Sequence, residues 1–430
     1  MQAAASARNE RPRALVLLSQ IYVDGGIQRF NRTFLSACDR LGVACDVLSL
    51  ADTEESRSNW AAPDGASVRT FNRSKVRFAF AVFAATLRGR HDFIVIGHIN
   101  LLVLVAACVS FRKARGTRAL LIAHGIEVWS GLQRRVFQLA LGKIDRVLSV
   151  SRYTRDRMRA QRPEFGEERY TIFPNALSES WQRPAVPTGP ADLPAGLPRR
   201  YLLSVTRLAR GDRYKGLTTV IEMLSMLQDT ALHYVIAGKG EDQPFLQRMA
   251  QRFQLTERVH FVGAVSDGQL ARLYTECAAF VLPSGKEGFG IVFLEAMYFG
   301  APVVAAREKG AVDVVLHEQT GLLVPYGDTI ALAAAVTRLL RDEPLRARLR
   351  KNGRELVNVD GPFSFHAYVG RLGDLLRLPL PAPVTGRAEA LPQLAQDWLQ
   401  AGSVNVQRGY AFRPRGLRQD CFRQPVFFSG

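Results

Sequence analysis

The sequence predicts two doubly wound α/β domains joined by a linker. Apolar stretches rich in Val, Ile and Leu alternate with helix-compatible segments from Arg13 to about Pro174, and the alternation resumes at Tyr201. Continuous apolar strands separated by helices are typical of parallel sheets covered on both faces, so each series predicts its own sheet. A length of 430 residues also exceeds what a single hydrophobic core usually supports.

The first series predicts an N-terminal domain at residues 13–177, preceded by a flexible N-terminus at residues 1–12. Its strands are ALVLLS, CDVLSL, DFIVIG, ALLIAHG, RVLSVS and YTIFP. Residues 93–111 are apolar over about the length that crosses a bilayer. Because this run contains Gly97, His98 and Asn100, we interpret it as a buried strand, a polar turn and a helix.

Five prolines between Ser178 and Arg200 predict an extended linker at residues 178–200. A C-terminal domain is then predicted at residues 201–362, with the strands YLLSV, HYVIAG, VHFVG, AAFVLPS and PVVAA. We expect residues 363–380 to form a closing helix and residues 381–430 to form a loosely ordered tail.

The formal net charge of +18 suits nucleic acid, an anionic membrane surface or phosphorylated small molecules. The basic residues are scattered and form no recognisable nucleic-acid module, so we expect no nucleic-acid partner. The densest mixture of basic and aromatic residues is at 69–90. Two interpretations of this segment stay open: contact with anionic lipid head groups, or a partly buried helix with a solvated basic face.

The five cysteines show neither a C-x-x-C pair nor zinc spacing, and residues 1–13 lack the apolar core of a secretory signal. We therefore expect reduced thiols and a cytoplasmic protein, with a peripheral position at the inner face of the cytoplasmic membrane left open. No D-x-D pair follows a strand and no His or carboxylate cluster has ligand spacing, which is consistent with the expectation of neither a metal nor a cofactor.

Two Rossmann-like domains that face each other place the carboxyl ends of both sheets at one cleft, where a ligand site is expected. The strongest local signal is PSGKEGFGIVFLEAM, which follows the strand AAFVL. Gly288 and Gly290 allow a tight turn, and a helix that begins near Ile291 directs free N–H groups at the cleft, where a pyrophosphate would bind. Glu287 and Glu295 are suited to accept hydrogen bonds from sugar or ribose hydroxyls. In the alternative interpretation, Glu287 is a favourable charge near the positive end of the helix and Glu295 is a surface residue.

Glu287 and Glu295 enclose seven residues, and EGFGIVFLEAMYFGAPVVA resembles the E-x7-E signature of the retaining family 4 glycosyltransferases, which have the GT-B fold. The resemblance extends from Arg13 to about Leu376. It implies a metal-independent enzyme that moves a sugar from a nucleotide-diphosphate sugar to a glycan or lipid-linked acceptor. A bacterial polysaccharide pathway is the expected setting.

The resemblance also assigns cations to the donor. SVTRLARGDRYKG is similar to the family segment that supplies an Arg and a Lys to the pyrophosphate, here Arg207 and Lys215. Physical reasoning agrees, because two cations stabilise a departing diphosphate more than the intact donor. The Gly25 and Gly26 pair in DGGIQRF resembles the family's N-terminal glycines, whose backbone closes over the donor phosphate.

Further roles are implied in the same way. His124 in AHGIEVW matches the histidine that contacts the transferring sugar; a satisfied core histidine is the alternative, and His98 is a rival for the role. The resemblance implies that backbone groups near Val265 contact the nucleotide base. Ser266 or Asp267, which follow directly, are candidate N-caps of the next helix. Backbone contacts to the donor are implied for Gly288, Phe289, Gly290 and Ile291, sugar hydroxyls for Glu287, and ribose for Glu295. Lys309-Gly310 departs from the family's paired glycine.

The sequence has three rival interpretations. A nicotinamide oxidoreductase would require G-x-G-x-x-G after a strand, which neither DGGIQRF nor AGKGEDQ supplies. A glycan phosphorylase would require a cofactor-bearing Lys. A basic nucleic-acid-binding or nucleotide-binding α/β protein without glycosyl transfer is the main alternative. The donor base, the sugar, the acceptor and the oligomeric state do not follow from the sequence.

Overall fold

The computed structural model describes residues 11–113, 116–182 and 196–378. The predictions for residues 1–10, for the proline-rich centre of the linker and for the tail at residues 381–430 lie outside the described residues.

The described strands form two parallel sheets. The N-terminal sheet contains Arg13–Leu18 (β1), Ala44–Ser49 (β2), Ala66–Thr70 (β3), Phe93–Ile96 (β4), Arg118–Ala123 (β5), Arg146–Ser149 (β6) and Tyr170–Ile172 (β7). The C-terminal sheet contains Tyr201–Val205 (β8), His233–Ala237 (β9), Val259–Gly263 (β10), Ala279–Leu282 (β11), Val303–Ala306 (β12) and Gly321–Val324 (β13). The strand orders are β3-β2-β1-β4-β5-β6-β7 and β10-β9-β8-β11-β12-β13, so the predicted pair of doubly wound domains is confirmed.

Helices connect the strands of each sheet. Those of the N-terminal half are Gly26–Arg40 (α1), Lys75–Arg88 (α2), Ile99–Lys113 (α3), Arg135–Leu141 (α4), Arg152–Gln161 (α5) and Glu179–Gln182 (α6). Those of the C-terminal half are Leu217–Met226 (α7), Gln243–Arg252 (α8), Asp267–Glu276 (α9), Ile291–Tyr298 (α10), Thr329–Arg341 (α11), Glu343–Val357 (α12) and Phe365–Leu376 (α13).

The structure adds two edge strands and one helix to the predicted elements. Strand β3, ASVRT, is only half-buried along its length, and β13 begins with a glycine, so neither shows the long apolar run that marks a central strand. Residues 179–182, at the start of the predicted extended linker, are helical.

The apolar run at residues 93–111 divides into β4 and α3, as predicted. Among the described residues, no helix combines the length and the apolar character that a membrane span requires.

Alternate residues of β1 face opposite sides of the N-terminal sheet, as the two-residue period of a strand requires. Leu15 and Leu17 belong to a core shared with α2, α3 and α4. Val16 and Leu18 belong to a core shared with α1, which continues through the domain interface into the C-terminal domain.

Helix α13 returns the chain to the N-terminal domain. Its Tyr368 ring lies 4.7 Å from the ring of Phe173, measured between centroids. The Arg118 guanidinium donates to the carbonyl oxygen of Leu375 at 2.9 Å. The last described helix therefore holds the two domains together behind the cleft.

Candidate active site

The loops that follow β5 and β11 bring the two domains into direct backbone contact. A Cβ atom placed on Gly288 would lie 2.1 Å from the carbonyl oxygen of His124, and one on Gly125 would lie 2.7 Å from the Cα of Gly288. Gly125 also has a φ of +143°. Only glycine fits at either position. The approach brings residues 283–290 of the C-terminal domain, which we call the signature loop, against the N-terminal domain.

Lys215 and Glu287 form an ion pair, with 2.7 Å between Nζ and Oε2 and with both side chains mostly buried. Lys215 ends a 3-10 turn at Arg210–Lys215, and Gly216 follows with a φ of +77°. A Cβ on Gly216 would lie 2.4 Å from the carbonyl oxygen of Pro283, so this glycine allows the turn to pack on the signature loop. The close packing places the ammonium of Lys215 at the carboxylate of Glu287.

Helix α10 begins beside this pair. Gly290 is the N-cap, with a φ of +95° and no side chain that caps the helix. A Cβ built on Gly290 would lie 3.2 Å from Cγ of Glu287, which locates the glutamate next to the first turn. The backbone N–H groups that begin at Ile291 are therefore available to an anion, in the way expected of a helix amino end.

Arg207 is connected to the Lys215 turn through Asp212, but its side chain is directed toward solvent. Its Nη2 lies 3.1 Å from Oδ2 of Asp212, and its side chain is 71% exposed. The hydroxyl of Tyr214 donates to the other carboxylate oxygen of Asp212 at 2.9 Å. The ammonium groups of Lys215 and Lys286 lie 5.5 and 5.7 Å from the centre of the Tyr214 ring. Lys286 was not predicted, although its position directly before Glu287 was a usable signal.

Glu295 is only 2% exposed, so the alternative interpretation as a surface residue is wrong. Arg29, on α1 of the other domain, approaches Oε1 with Nη1 at 2.5 Å, and the hydroxyl of Tyr274 donates to Oε2 at 3.0 Å. The nearby Glu295 carboxylate raises the pKa of Arg29, although burial opposes this effect. Sequence reasoning missed Arg29; a cation in the first turns of the helix after the glycine pair was the available signal.

His124 lies in the interface as a half-buried ring. Its Nε2 donates to the carbonyl oxygen of Gly97 at 2.9 Å, and its ring meets that of Phe30 edge-on at 5.0 Å. Burial lowers the pKa of His124, and burial also lowers the pKa of the neighbouring His98. The Glu127 carboxylate accepts the backbone amide of His124 at 2.6 Å and so orders the turn.

Gly25 and Gly26 lie at the start of α1, after a loop whose backbone N–H and C=O groups at Ile21 are both hydrogen-bonded. The Asp52 carboxylate accepts the amide of Ile21 at 2.6 Å, while Nε of Arg32 donates to the carbonyl of Ile21 at 2.8 Å. Gly25 is the helix N-cap without a side-chain cap, and a Cβ on Gly26 would meet no atom within 4 Å. The amino end of α1 is therefore preorganised and open.

Val265 is half-buried in the loop between β10 and α9, and the predicted cap follows it. The side chain of Ser266 accepts a hydrogen bond from the backbone amide of Gln269 at 3.2 Å and forms a capping box.

Phe289 is buried in the core and contributes only its backbone to the signature loop.

Lys309 replaces the first glycine of the family's paired glycine, and its backbone keeps the conformation typical of glycine. Lys309 has a φ of +61°, a conformation that glycine adopts freely. Its ammonium lies 5.9 Å from the Trp129 ring centre and 5.7 Å from that of Tyr153, both in the other domain. The amide of Gly310 donates to the carbonyl of Glu287 at 2.9 Å, so this turn packs directly on the signature loop.

Within the described residues, no group of three or more His, Cys, Asp or Glu side chains could hold a metal ion. The cysteines found there, Cys38, Cys45, Cys108 and Cys277, are free thiols.

Two parallel-sheet domains that meet at a glycine contact beside a paired lysine and glutamate have the architecture of the GT-B class of glycosyltransferases. The family models agree: Glycosyl transferases group 1 matches residues 191–356, and Glycosyltransferase Family 4 matches residues 24–180. The chain belongs to glycosyltransferase family 4, and the alternative of a nucleic-acid-binding or nucleotide-binding protein without glycosyl transfer is not favoured.

Similar proteins support this membership. The GDP-mannose-dependent alpha-(1-6)-phosphatidylinositol monomannoside mannosyltransferase of Mycobacterium tuberculosis is 32% identical over 288 residues, which cover 62% of this chain and 71% of that protein. The lipopolysaccharide core biosynthesis glycosyltransferase LpsD of Rhizobium meliloti is 32% identical over 177 residues, which cover 41% of this chain and 50% of that protein.

Solved structures share the fold. Sucrose-phosphate synthase from Thermosynechococcus elongatus superposes with a TM-score of 0.69 at 24% identity, covering 86% of this chain and 98% of that one. Anabaena HepE in complex with UDP and glucose superposes with a TM-score of 0.68 at 21% identity, covering 84% and 99% of the two chains.

Proposed function

We propose that this glycosyltransferase moves a sugar from a nucleotide-diphosphate sugar to a glycan or lipid-linked acceptor, with retention of the anomeric configuration and without a metal ion or other cofactor. A bacterial polysaccharide or glycolipid pathway is the proposed setting. The observation that supports this most is the 2.7 Å contact between Lys215 and Glu287 beside the uncapped amino end of α10.

In the proposed reaction, the acceptor hydroxyl attacks the face of the sugar from which the diphosphate departs. The departing phosphate oxygen takes the proton of that hydroxyl, so the C–O bond to phosphate breaks as the new glycosidic bond forms. Lys215, Arg207 and the N–H groups from Ile291 stabilise the negative charge that grows on the diphosphate. Because these groups supply the positive charge, no metal ion is required.

Glu287 accepts hydrogen bonds from the sugar hydroxyls. Glu295 accepts hydrogen bonds from the ribose once the donor displaces one of its contacts with Arg29 and Tyr274. The ring of His124 lies near the reacting carbon. The backbone of Gly25 and Gly26 closes over the phosphates from the other domain.

The remaining donor contacts come from backbone groups of two loops. Gly288, Phe289 and Gly290 bind the donor on the signature loop, and Val265 binds the base.

Relatives differ in their donors, since one is named as GDP-mannose-dependent and HepE was solved with UDP and glucose. A thermal-shift panel of UDP, GDP and ADP sugars will identify the donor of this chain. A ligand that binds only the folded state at ~100 times its dissociation constant adds roughly 2.7 kcal/mol to stability. No stabilisation by any donor would contradict the proposed function.

Product analysis tests the stereochemistry and the metal independence separately. We expect the product to keep the anomeric configuration of the donor, as read from the anomeric proton coupling in NMR. We also expect full turnover in the presence of EDTA. An inverted product, or activity restored only by a divalent cation, would overturn the corresponding part of the mechanism.

An anionic membrane surface is included in this proposal, with the enzyme peripheral at the inner face of the cytoplasmic membrane. Helix α2 exposes one apolar stripe, whose members are between 47 and 81% exposed: Val76, Phe80, Phe83 and Leu87. Their spacing keeps them on one helix face. Basic residues border the stripe: Arg73, Lys75, Arg77 and Arg88. An apolar stripe with cationic borders suits an interfacial helix.

Sedimentation with phosphatidylglycerol and phosphatidylcholine vesicles tests the membrane contact. We expect Phe80→Ser with Phe83→Ser to reduce binding to the anionic vesicles at least fivefold. Ile330→Ser, which removes an exposed apolar residue from α11 of the other domain, is the control. Equal binding by both variants would leave the partly buried helix with a solvated basic face as the correct interpretation.

A further inference from the structure

A cavity lies at the end of the N-terminal sheet that is opposite to the candidate active site. Its volume is about 1050 Å³, and it is lined by residues 11–13, 87–93, 112, 116 and 378. Arg13 and Phe93, which begin β1 and β4, lie in its wall, so the cavity is at the amino ends of these strands. A six-residue strand spans about 20 Å, which separates this cavity from the loops at the carboxyl ends.

Five arginines line the cavity: Arg11, Arg13, Arg88, Arg90 and Arg112. Arg112 is only 6% exposed and forms a fixed part of the wall. Its guanidinium donates to the carbonyl oxygen of His91 at 3.1 Å and to that of Thr86 at 3.4 Å. Both acceptors are backbone carbonyl groups, so these bonds fix the position of the Arg112 guanidinium in the wall.

Three of the arginines are exposed and form no hydrogen bond or ion pair with other described residues: Arg11, Arg88 and Arg90. The nearby carboxylates are already engaged. Asp92 accepts the backbone amide of Arg13 at 2.9 Å, and Asp46 accepts from the side chains of Arg13 and His91, each at 2.9 Å. The cavity therefore carries a surplus of positive charge.

The surplus extends beyond the cavity wall. Residues 69–144 contain thirteen Lys and Arg but only two acids, Asp92 and Glu127. The C-terminal tail does not complement this charge, because residues 379–430 carry six Arg and three acidic residues. Concentrated like charge destabilises a folded domain, and a bound anion relieves that repulsion.

We propose that this cavity, the arginine pocket, is a second ligand site that binds a phosphorylated molecule larger than a phosphate ion. Guanidinium groups bind phosphate oxygens through paired hydrogen bonds, which favours phosphate as the recognised group. Pockets for small molecules are commonly 300–1,000 Å³, so the volume accommodates a phosphate together with its substituent. The ligand is either a lipid head group or a free phosphorylated molecule. The site is independent of the proposed transfer reaction.

Calorimetric titration with inorganic pyrophosphate tests the site in the full chain. All proteins carry Lys215→Ala, which weakens binding of the probe in the catalytic cleft. We expect Arg88→Gln with Arg90→Gln to weaken pyrophosphate binding at least tenfold, because each charged hydrogen bond contributes strongly to affinity. The matched control, Arg348→Gln with Lys351→Gln, removes two exposed cations from α12 and should change affinity less than twofold. Equal affinities of the two double variants would overturn the site.

Vesicle binding identifies the source of the phosphate. With phosphatidylglycerol vesicles, a head-group site predicts that Arg90→Gln alone, which leaves the α2 border residue Arg88 in place, lowers binding at least fivefold and that pyrophosphate competes with the vesicles. Weaker pyrophosphate binding with unchanged vesicle binding identifies a free phosphorylated ligand. If the variants keep both pyrophosphate binding and vesicle binding, the arginine pocket is refuted, whatever the result of the transfer assays.

Discussion

Arg29 and Glu295 join the two domains through an ion pair, with 2.5 Å between Nη1 and Oε1. The second glutamate of the signature is thus held by a residue from the opposite domain. Glu295 is almost fully buried, and burial of a carboxylate is costly without partners of this kind. Closure of the domains therefore supplies the cation that the buried Glu295 carboxylate requires.

Arg29→Ala should lower both stability and transfer activity, because it leaves the Glu295 carboxylate buried without its cation. Breaking one side of a buried pair costs about 3–5 kcal/mol. Urea unfolding and kcat/KM for the donor measure the two effects. Arg40→Ala is the control, since it removes the partly exposed pair with Glu179 from the same helix, worth about 0–1 kcal/mol. Equal effects of the two variants would show that the interdomain pair has no special role.

Glu287→Gln should reduce kcat by at least ~100-fold while the protein stays folded, since glutamine keeps the shape and can still accept from Lys215. Lys215→Met should lose activity as well, because the departing diphosphate loses its buried cation. Steady-state kinetics and thermal unfolding measure the two properties. Glu276→Gln, which alters an exposed ion pair on α9, is the control. Normal turnover by both site variants would remove these assignments.

Gly288→Ala should separate the domains, because its Cβ would lie 2.1 Å from the carbonyl oxygen of His124. We expect a larger radius of gyration in small-angle X-ray scattering and at least a tenfold loss of kcat/KM. Gly370→Ala on α13 provides the control, since a Cβ there meets no atom within 4 Å. An unchanged radius and activity in Gly288→Ala would mean that the glycine contact is not needed for closure.

Lys309→Gly should be more stable than Lys309→Ala, although both lose the contact with Trp129 and Tyr153. The left-handed backbone at this position costs an L-residue roughly 1–2 kcal/mol, and glycine avoids that cost. The lost cation–aromatic contact is worth about 0.5–2 kcal/mol, so the glycine variant should stay close to the parent protein. Urea midpoints decide the order; an alanine variant as stable as the glycine variant would contradict it.

Stability should fall as the pH is lowered from 7.5 to 5.5. Burial lowers the pKa of His124 and of His98, so each ring takes up its proton at a lower pH in the folded protein than in the unfolded chain, where histidine titrates near pH 6.5. Their contribution is present above the unfolded pKa and is lost below it, by up to about 1.4 kcal/mol per pH unit for each ring. Urea unfolding at three pH values should show a shallower slope for His124→Gln with His98→Gln. An equal slope would exclude these rings as its cause.

Local pattern sufficed for the central strands and for the start of α10, because buried parallel strands and glycine-rich turns leave continuous signals in the chain. The edge strands β3 and β13 escaped prediction because β3 is only half-buried along its length and β13 is a four-residue strand that begins with a glycine. The position of Lys215 was predicted through its family segment, whereas its pairing with Glu287 depends on the packing of Gly216 against Pro283.

By itself the sequence determined two sheets, their order along the chain, and a glycine-flanked helix start between two glutamates, because these depend on short-range periodicity and backbone freedom. Only the tertiary structure decided that Arg29 reaches Glu295, that Lys309 reaches Trp129, and that five arginines line one cavity. Those contacts join residues far apart in the chain, and the closure of one domain on the other or the arrangement of strand ends sets their distances.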